Sequence, residues 1–461
     1  MADSTPLLVL DVVGLTPAHL GADTPNLSAL ARDGFACPLT PVLPAVTCSV
    51  QSTLLTGSLP RSHGIVGNGW YFRDLSEVMF WRQSNRLVAG EMLWDAARAR
   101  FPGLRTAQLF WWYNMYCGAE ISLTPRPAYP ADGRKIPDAY GSPPELVREL
   151  QAELGPFPLF RFWGPLADIV STRWIVDASL RVLVRHKPGL ALVYLPHLDY
   201  GLQRFGPGHP AIAEELRAVD AEAGRLIAAA RAAGYGVVVL SEYGITAVRD
   251  AVHLNRVLRQ AGFLAVHEPC AGGELLDAGA SRAFAVADHQ VAHVYVRDPG
   301  DVAGVKRVLA AADGVERVLD AAGKAEFGLD HPRAGELVAV AASDRWFSYY
   351  YWLEDGRAPD FARTVDIHRK PGYDPVELFT DPRKALMPAR IACKLARKAL
   401  GFRTLMDVIP LDASLVRGSH GRLPAKDADG PVLLCSEKNA ARERVHSVEV
   451  KDFLLERMSA R

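Results

Sequence analysis

Three short apolar runs along the chain share one design. They read "PLLVLDVVG", "GLALVYLPHLDY" and "YGVVVLSEYG". Continuous apolar runs of this length predict strands that are buried on both faces, which is typical of a parallel sheet. A carboxylate lies at or just after the end of each run: Asp11, Asp199 and Glu242. The pattern therefore predicts three buried strands that each deliver an acid at their carboxyl end.

Helical patterns separate these runs. The segment "TPNLSALARDG" begins at Thr24 and stops at Gly34, residue types that favour the two ends of a helix. The segment "HPAIAEELRAVDAEAGRLIAAARAAG" has the spacing of a long amphipathic helix. Alternating strands and helices predict a doubly wound α/β fold, with a mostly parallel sheet and helices on both faces. Ligands of such sheets bind at the carboxyl ends of the strands, so we expect the three acids to meet in one crevice.

The stretch 250–414 differs from the rest of the chain. It is rich in aromatic and turn residues, as in "GELVAVAASDRWFSYYYWLEDG" and "DIHRKPGYDPVELF". We predict that residues 1–249 and 415–461 form the α/β core. Residues 250–414 are predicted to form a smaller inserted cap of mixed α and β structure, with some antiparallel strands.

Composition places the chain of 461 residues among ordinary globular proteins, since 49% of its residues are hydrophobic and 23% are charged. Lys and Arg together balance Asp and Glu at 52 each, which argues against a nucleic acid or a membrane surface held by bulk charge. The sequence predicts neither a membrane span nor a signal peptide. The six cysteines show no paired spacing, so we expect reduced thiols and a cytoplasmic location. The oligomeric state is left open.

The stretch "PAVTCSVQSTLLTG" places several hydroxyl side chains directly after the first strand. Helix interiors disfavour Ser and Thr, because their hydroxyls compete for backbone groups. Helix starts near active sites favour them, because free backbone N–H groups there attract anions. From this pattern alone, Thr47 is a helix cap, a nucleophile, or the remnant of a nucleophile that no longer acts.

These residues also resemble a known family. "LDVVG", the spacing from Pro44 to Thr47 and "LLTGSLPRSHGIVGN" resemble the nucleotide pyrophosphatase/phosphodiesterase branch of the alkaline phosphatase superfamily, as do "AGEMLWDAARARFPGLRTAQLFWW", "DAVHLNRVLRQAGFL" and "VRGSHGRLP". The resemblance covers most of the chain in the same order. It implies an alkaline-phosphatase-like fold and metal-dependent hydrolysis of a phosphate ester. Thr47 would form a phosphothreonine intermediate, and Asn68 would donate to a non-bridging phosphate oxygen.

The resemblance also implies a set of metal ligands, which departs from the family pattern. Gln203 stands where the D-x-x-x-H motif has histidine; in the S-D-H-G motif Glu242 replaces Asp and Tyr243 replaces His. Only one expected ligand offers nitrogen, so the set favours Mn²⁺, Mg²⁺ or Ca²⁺ over Zn²⁺, with one or two ions bound. The expected ligands are Asp11, Thr47, Asp199, Gln203, Glu242, Tyr243 and His420.

Residues outside these motifs are candidates to complete the site. His368, in "DIHRKPGYDP", is the first candidate to bind substrate or to compensate for the missing imidazoles, and His289 and His293 come second. Lys370 is a candidate phosphate ligand, with solvated surface charge as the alternative. Trp112, in "FWWYN", would stack on a planar substrate group if it lines the crevice, with core packing as the alternative.

The sequence thus favours a phosphodiesterase-like or nucleotide-pyrophosphatase-like hydrolase of a small-molecule phosphate ester. Two alternatives stay open. One is an enzyme of the same fold with a remodelled metal site that acts on a phosphonate or an unusual phosphomonoester. The other is a non-catalytic binding protein that has lost its metals. Retention of Asp11, Thr47 and Asn68 argues against the last alternative, and the loss of two imidazoles argues for it.

Overall fold

The computed structural model describes residues 4–131 and 133–459. Over these ranges the central sheet has nine strands, and those in its middle run parallel, with antiparallel pairings towards both edges. The predicted mostly parallel α/β sheet is confirmed. In spatial order the strands are Val445–His446, Phe35–Thr40, Val432–Cys435, Gly236–Leu240, Leu7–Val12, Leu190–Leu195, Thr106–Leu109, Ile121–Pro125 and Ala139–Ser142.

The three strands predicted from the apolar runs lie side by side at the centre of this sheet. Leu7–Val12 pairs in parallel with Leu190–Leu195 on one side and with Gly236–Leu240 on the other. Leu7–Val12 and Leu190–Leu195 are buried along their whole length, because helices cover the sheet. Parallel pairing places the carboxyl ends of all three strands at one edge of the sheet.

Helices pack around the sheet in two groups. Ile212–Ala232 packs against Pro25–Asp33 and Ile169–His186, while Val450–Met458 packs against Thr47–Thr56 and Leu93–Arg100. Thr24 and Gly34 are the capping residues on either side of the helix Pro25–Asp33, as the sequence pattern predicted. The remaining α-helices of the described residues are Pro60–His63, Pro144–Leu154, His197–Phe205, Leu254–Gln260, Val302–Ala310, Ala321–Glu326 and Met387–Ala399. Short 3₁₀ helices occur at Pro17–His19, Asn85–Leu87, Leu159–Arg161, Pro299–Asp301, Asp355–Arg357, Asp360–Arg363, Pro375–Leu378, Ala413–Leu415, Asp427–Asp429, Lys438–Ala440 and Ser447–Glu449.

A second, antiparallel sheet lies in the stretch predicted as an insertion. Its strands, in spatial order, are Ala283–Asp288, Val291–Val296, Leu337–Ala341 and Val315–Leu319. The apolar core beside it also takes in Ile65, Trp70 and Phe80 from the amino-terminal part of the chain. Two-stranded pairs are Gly69–Phe72 with Glu77–Phe80, Thr246–Ala247 with Gly418–Ser419, Asp250–Val252 with Arg345–Phe347, and Val266–His267 with Leu275–Leu276. The division into domains at 249 and 415 stays a prediction.

None of the helices in the described ranges has the length and apolar composition that crossing a bilayer requires. Cys37, Cys48, Cys117, Cys270 and Cys393 are free thiols. The predicted cytoplasmic location stays a prediction.

Candidate active site

The ends of the three central strands bring three acids together. Asp11 belongs to the strand Leu7–Val12, Glu242 comes two residues after Gly236–Leu240, and Asp199 lies in the first turn of the helix after Leu190–Leu195. All three side chains are buried. The Tyr243 hydroxyl joins them to the hydroxyl-rich helix, since it lies 3.1 Å from Thr47 Oγ1 and donates to Asp199 at 3.3 Å. The site thus forms two adjoining halves around Thr47.

The Asp11 half of the site consists of Asp11, Thr47, Gln51 and Glu242. The Gln51 amide donates to Asp11 at 3.2 Å and to Glu242 at 2.6 Å. Its carbonyl accepts from the backbone N–H of Trp112 at 2.7 Å, which fixes the orientation of the amide. One amide therefore serves two acids. Asp11 Oδ1 and Glu242 Oε2 are buried without a hydrogen-bond partner among the described residues.

The Asp199 half consists of Asp199, Gln203, Tyr243 and His420. The Gln203 amide donates to Asp199 Oδ2 at 2.6 Å, and its carbonyl accepts from the Tyr373 hydroxyl at 3.0 Å. Tyr243 donates to the other carboxylate oxygen, Oδ1. Burial raises the pKa of the Tyr243 phenol well above its ordinary value, so the phenol keeps the proton that it donates. Both oxygens of Asp199 are therefore satisfied by protein donors.

His420 is held between aromatic rings. Its ring stacks on Tyr243 with centroids 3.5 Å apart, and the His289 ring lies 3.7 Å away on centroids. Nδ1 lies 2.8 Å from the Ala45 carbonyl, which places the ring proton on Nδ1. Nε2 lies 3.9 Å from Asp199 Oδ1 and has no hydrogen-bond partner in the described part of the chain. Burial lowers the pKa of the imidazole well below its ordinary value, so the ring is neutral.

Burial controls the charge state of the three acids. It raises the pKa of Asp11 and of Asp199 to about 7. It also raises the pKa of Glu242 well above its ordinary value, and the nearby charge of Asp11 raises it further. No Lys or Arg among the described residues contributes to these shifts. Buried carboxylates without a counter-charge favour the binding of a proton or a cation.

Thr47 is the first residue of the helix Thr47–Thr56, and Val46 occupies the capping position before it. Thr47 is therefore not the helix cap, and a nucleophile or the remnant of one stays open. Its buried hydroxyl contacts Tyr243 and the Glu242 carboxyl, whose pKa it lowers by hydrogen bonding. A hydroxyl at this helix start also lies where the backbone favours the oxygens of a phosphate.

Asn68 supports the start of this helix. Its side-chain carbonyl accepts from the backbone N–H of Cys48 at 2.9 Å, and its amide donates to Asp288 at 3.0 Å. Its own backbone N–H donates to the second oxygen of Asp288 at 2.7 Å. In this arrangement Asn68 orients the residue after Thr47, and its predicted contact with phosphate stays a prediction.

Comparison with known protein families identifies the family to which this chain belongs. The family model for type I phosphodiesterase / nucleotide pyrophosphatase matches residues 7–374. The chain belongs to this family. Members of the type I phosphodiesterase family are hydrolases that act on phosphoester bonds. The predicted family membership is therefore confirmed.

Curated relatives from the same family match part of the chain. An uncharacterised pyrophosphatase/phosphodiesterase of Schizosaccharomyces pombe is 24% identical over 233 residues, which cover 49% of this chain and 42% of that protein. Human ectonucleotide pyrophosphatase/phosphodiesterase family member 7 is 26% identical over 211 residues, which cover 44% of this chain and 39% of that protein. The chain thus spans about two fifths of the length of these relatives.

Solved structures share the fold over almost the whole chain. Murine ectonucleotide pyrophosphatase/phosphodiesterase 5, an inactive threonine-to-alanine variant in complex with AMP, matches with a TM-score of 0.60 at 16% identity, covering 98% of this chain and 95% of that chain. Phosphonoacetate hydrolase from Sinorhizobium meliloti 1021, in complex with phosphonoacetate, matches with a TM-score of 0.62 at 15% identity and covers 100% of both chains. At these identities the likeness confirms the fold of the type I phosphodiesterase family.

The structure contradicts the predicted role of Lys370. Its amine is buried and lies 2.7 Å from Asp374 and 2.7 Å from Glu377. Burial by itself lowers the pKa of this amine, but the two carboxylates raise it above its ordinary value. Because both acids already hold the ammonium group, Lys370 is a structural cation and has no free charge for a phosphate.

The candidate histidines lie in different surroundings. His368 is exposed, with Nδ1 3.4 Å from the Phe80 carbonyl, and no contact of the described residues joins it to the three acids. His289, the second choice, lies against His420. His293 instead lies 2.8 Å from the Val66 carbonyl, so it supports the fold.

Trp112 reaches the site through its backbone, because its N–H fixes the Gln51 amide. Its partly buried side chain packs on Trp81 with ring centroids 4.7 Å apart. Stacking of Trp112 on a substrate stays a prediction.

The two halves differ in what they offer a metal. No group of three or more His, Cys, Asp or Glu side chains in the described ranges is arranged to hold one. The Asp11 half nevertheless presents two carboxylate oxygens without a donor, and the Thr47 hydroxyl contacts one of the two acids, Glu242. These oxygens are a hard donor set that suits Mn²⁺, Mg²⁺ or Ca²⁺. The Asp199 half presents His420 Nε2, but the Asp199 carboxylate already accepts hydrogen bonds from Gln203 and Tyr243. The residues therefore fit one divalent cation in the Asp11 half and do not fit a second in the Asp199 half.

Two polar residues that the sequence analysis missed orient the acids. Gln51 follows Thr47 by four residues, so both lie on one face of the helix, and this spacing was a usable signal. Tyr373 comes from a loop that is distant in sequence and orients Gln203. No local pattern marks Tyr373 as part of the site.

Proposed function

We propose that the chain is a phosphoester hydrolase in which Thr47 is the nucleophile and one divalent cation binds in the Asp11 half. The observation that carries the proposal is the pair of neighbouring buried acids, Asp11 and Glu242, each of which keeps one oxygen without a donor, with the Thr47 hydroxyl against the Glu242 carboxyl. Burial of two acids without a basic partner costs free energy, which a divalent cation bound by Asp11 and Glu242 would offset.

The reaction is attack of Thr47 Oγ1 on phosphorus. The bond between Thr47 and phosphorus forms, and the hydroxyl proton passes to the Glu242 carboxylate that it contacts. The bond to the leaving-group oxygen breaks, and that oxygen departs as an oxyanion that takes a proton from water. Water then hydrolyses the phosphothreonine and releases the phosphate group. A bound divalent cation supplies charge neutralisation and lowers the pKa of the hydroxyl. The start of the helix Thr47–Thr56 favours the phosphate oxygens.

The names of the structural relatives support a small phosphate or phosphonate ester as substrate. One relative is inactive as a threonine-to-alanine variant and holds AMP, and the other holds phosphonoacetate. The Trp81–Trp112 pair offers a partly buried aromatic surface that suits a planar group such as a nucleobase. We propose a phosphodiester or nucleotide substrate on this basis.

The test compares Thr47→Ala with Ser49→Ala on an aryl phosphodiester and an aryl phosphomonoester, with Mn²⁺, Mg²⁺, Ca²⁺ or Zn²⁺ added. Ser49 lies on the same helix, is buried and makes no hydrogen bond through its hydroxyl in the described residues, so its variant is a matched control. We expect Thr47→Ala to lose at least about a thousandfold in rate and Ser49→Ala to lose less than about threefold. Acid quenching followed by mass spectrometry should find phosphate on Thr47 in the parent.

A second candidate function is ligand binding without catalysis. It is favoured by the Asp199 half, where hydrogen bonds from Gln203 and Tyr243 occupy both carboxylate oxygens. If no cation binds by calorimetry and neither ester is hydrolysed, the binding function replaces the proposed one.

A further inference from the structure

The segment 382–406 contains a helix that contacts the rest of the protein along only a narrow strip of its surface. The helix Met387–Ala399 buries Met387, and Ile391 packs partly buried against the second apolar core. Lys394 is tied to the loop that follows, since its amine donates to the Leu405 carbonyl at 2.9 Å and lies 2.5 Å from Asp407. The rest of the helix faces solvent. The segment begins beyond residue 374, where the family match ends.

The face that this helix turns to solvent is apolar. Leu395 is 53% exposed and Leu400 is 75% exposed, and the flanking Leu386 and Phe402 are exposed as well. A helix on a globular protein normally turns its apolar side chains inward, so this arrangement is reversed. The exposed residues of this face are Pro388, Ala389, Ala392, Cys393, Leu395, Ala396, Ala399 and Leu400.

Basic residues border this apolar face. From 382 to 406 the sequence contains Arg383, Lys384, Arg390, Lys394, Arg397, Lys398 and Arg403 but neither Asp nor Glu. Arg390 and Arg397 are seven residues apart, so they share one edge of the helix. Arg383, Lys384 and Lys394 pair with Asp381 or Asp407, which flank the segment. Arg390, Lys398 and Arg403 form no ion pair with the described residues, so they carry the unbalanced charge. The chain as a whole is neutral, so this positive charge is local.

We propose that the segment 382–406 docks on an anionic lipid surface, with the helix lying in the plane of the interface. Exposed apolar side chains would insert among the acyl chains while the basic border meets anionic headgroups. The charge argues for this occupant over a second copy of the chain, since two such basic borders would repel each other. The expectation of no membrane partner was based on the balanced charge of the whole chain, and that sum does not reveal a basic segment whose charge is offset elsewhere.

The test is sedimentation of the full chain with vesicles at low salt. We expect the protein to pellet with vesicles of phosphatidylcholine and phosphatidylglycerol, to pellet far less with phosphatidylcholine alone, and to be released by high salt. The double variant Leu395→Glu/Leu400→Glu should bind at least about tenfold more weakly. The control Leu75→Glu/Leu166→Glu changes two leucines exposed to 59% and 60% elsewhere and should bind like the parent. Arg390→Gln/Arg397→Gln should weaken binding about fivefold per residue.

A fluorescent probe reports insertion directly. A polarity-sensitive dye on Cys393, with Cys117 and Cys270 changed to Ser, should shift to shorter wavelength on anionic vesicles. Failure to pellet with those vesicles, or equal binding by the Leu395→Glu/Leu400→Glu variant, would overturn the proposal. A change in oligomeric state caused by that variant, without vesicle binding by the parent, would instead assign the surface to a second copy of the chain.

Discussion

The two halves of the site are built from the same parts, yet they differ in how many acids share one amide. In the Asp11 half, Gln51 divides its amide between Asp11 and Glu242, and each acid keeps one oxygen without a donor. In the Asp199 half, a single acid receives two donors. A divalent cation requires negative charge and carboxylate oxygens that accept no hydrogen bond. The comparison therefore teaches that the ratio of acids to hydrogen-bond donors distinguishes a half that suits a metal from one whose acid is already satisfied by protein donors.

The largest difference between the two halves is expected when their acids are replaced by amides. Asp11→Asn and Glu242→Gln each remove a charge from the half that we assign to the cation, so we expect Mn²⁺ affinity to fall at least about a hundredfold. Asp199→Asn removes a charge that is already satisfied by Gln203 and Tyr243, and Mn²⁺ affinity should change less than about threefold. Titration calorimetry with Mn²⁺ alone measures all three. Equal losses in the three variants would show that both halves hold metal.

Restoring the family imidazoles sharpens the comparison. The double variant Gln203→His/Tyr243→His removes both donors from Asp199 and adds two nitrogen ligands beside His420. We expect the double variant to bind one more Zn²⁺ ion per chain than the parent, as counted by elemental analysis after gel filtration. Tyr243→Phe removes one donor and adds no ligand, so it should keep the parent's count. A double variant that binds no more Zn²⁺ than the parent would show that more than donor competition closes the Asp199 half.

The pH dependence of stability gives a smaller effect with a definite sign. Burial raises the pKa of Asp11 and Asp199 from 3.8 to about 7, so the folded protein holds protons that the unfolded chain releases near pH 4. Folding stability contributed by these groups is therefore present below pH 4 and is lost as the pH rises towards 7. The metal-free protein should melt several degrees lower at pH 8 than at pH 5, and Mn²⁺ should reduce this difference. A melting temperature that rises over this interval would contradict burial of the acids without a counter-charge.

The sequence predicted the strands and acids of this site better than it predicted the residues that surround and orient those acids. Continuous apolar runs identified the three central strands and the acids at their ends, because burial on both faces leaves a direct pattern. The buried position of Lys370 was not predictable, because its partners Asp374 and Glu377 lie at the start of and within the short 3₁₀ helix Pro375–Leu378, which leaves no periodic signal. The closing of the Asp199 half depends on Tyr373, which is brought in from 170 positions away. Contacts of that kind depend on tertiary packing and leave no local trace.

The smallest expected effect comes from the amides themselves. Gln51→Met removes the donor shared by Asp11 and Glu242 and leaves the Trp112 N–H without its acceptor, which should destabilise the metal-free protein by roughly 1–3 kcal/mol. Gln203→Met removes a donor to Asp199 and should cost a similar amount.

The response to Mn²⁺ separates these two variants. In Gln51→Met the ion would balance the two acids and recover most of the lost stability, because it replaces the missing donor where charge is in surplus. In Gln203→Met the damage lies beside an acid that holds no ion, so Mn²⁺ should leave the deficit unchanged. Denaturant unfolding with and without Mn²⁺ measures both differences. Equal recovery in the two variants would mean that the halves are equivalent, and the assignment of a single cation to the Asp11 half would then be wrong.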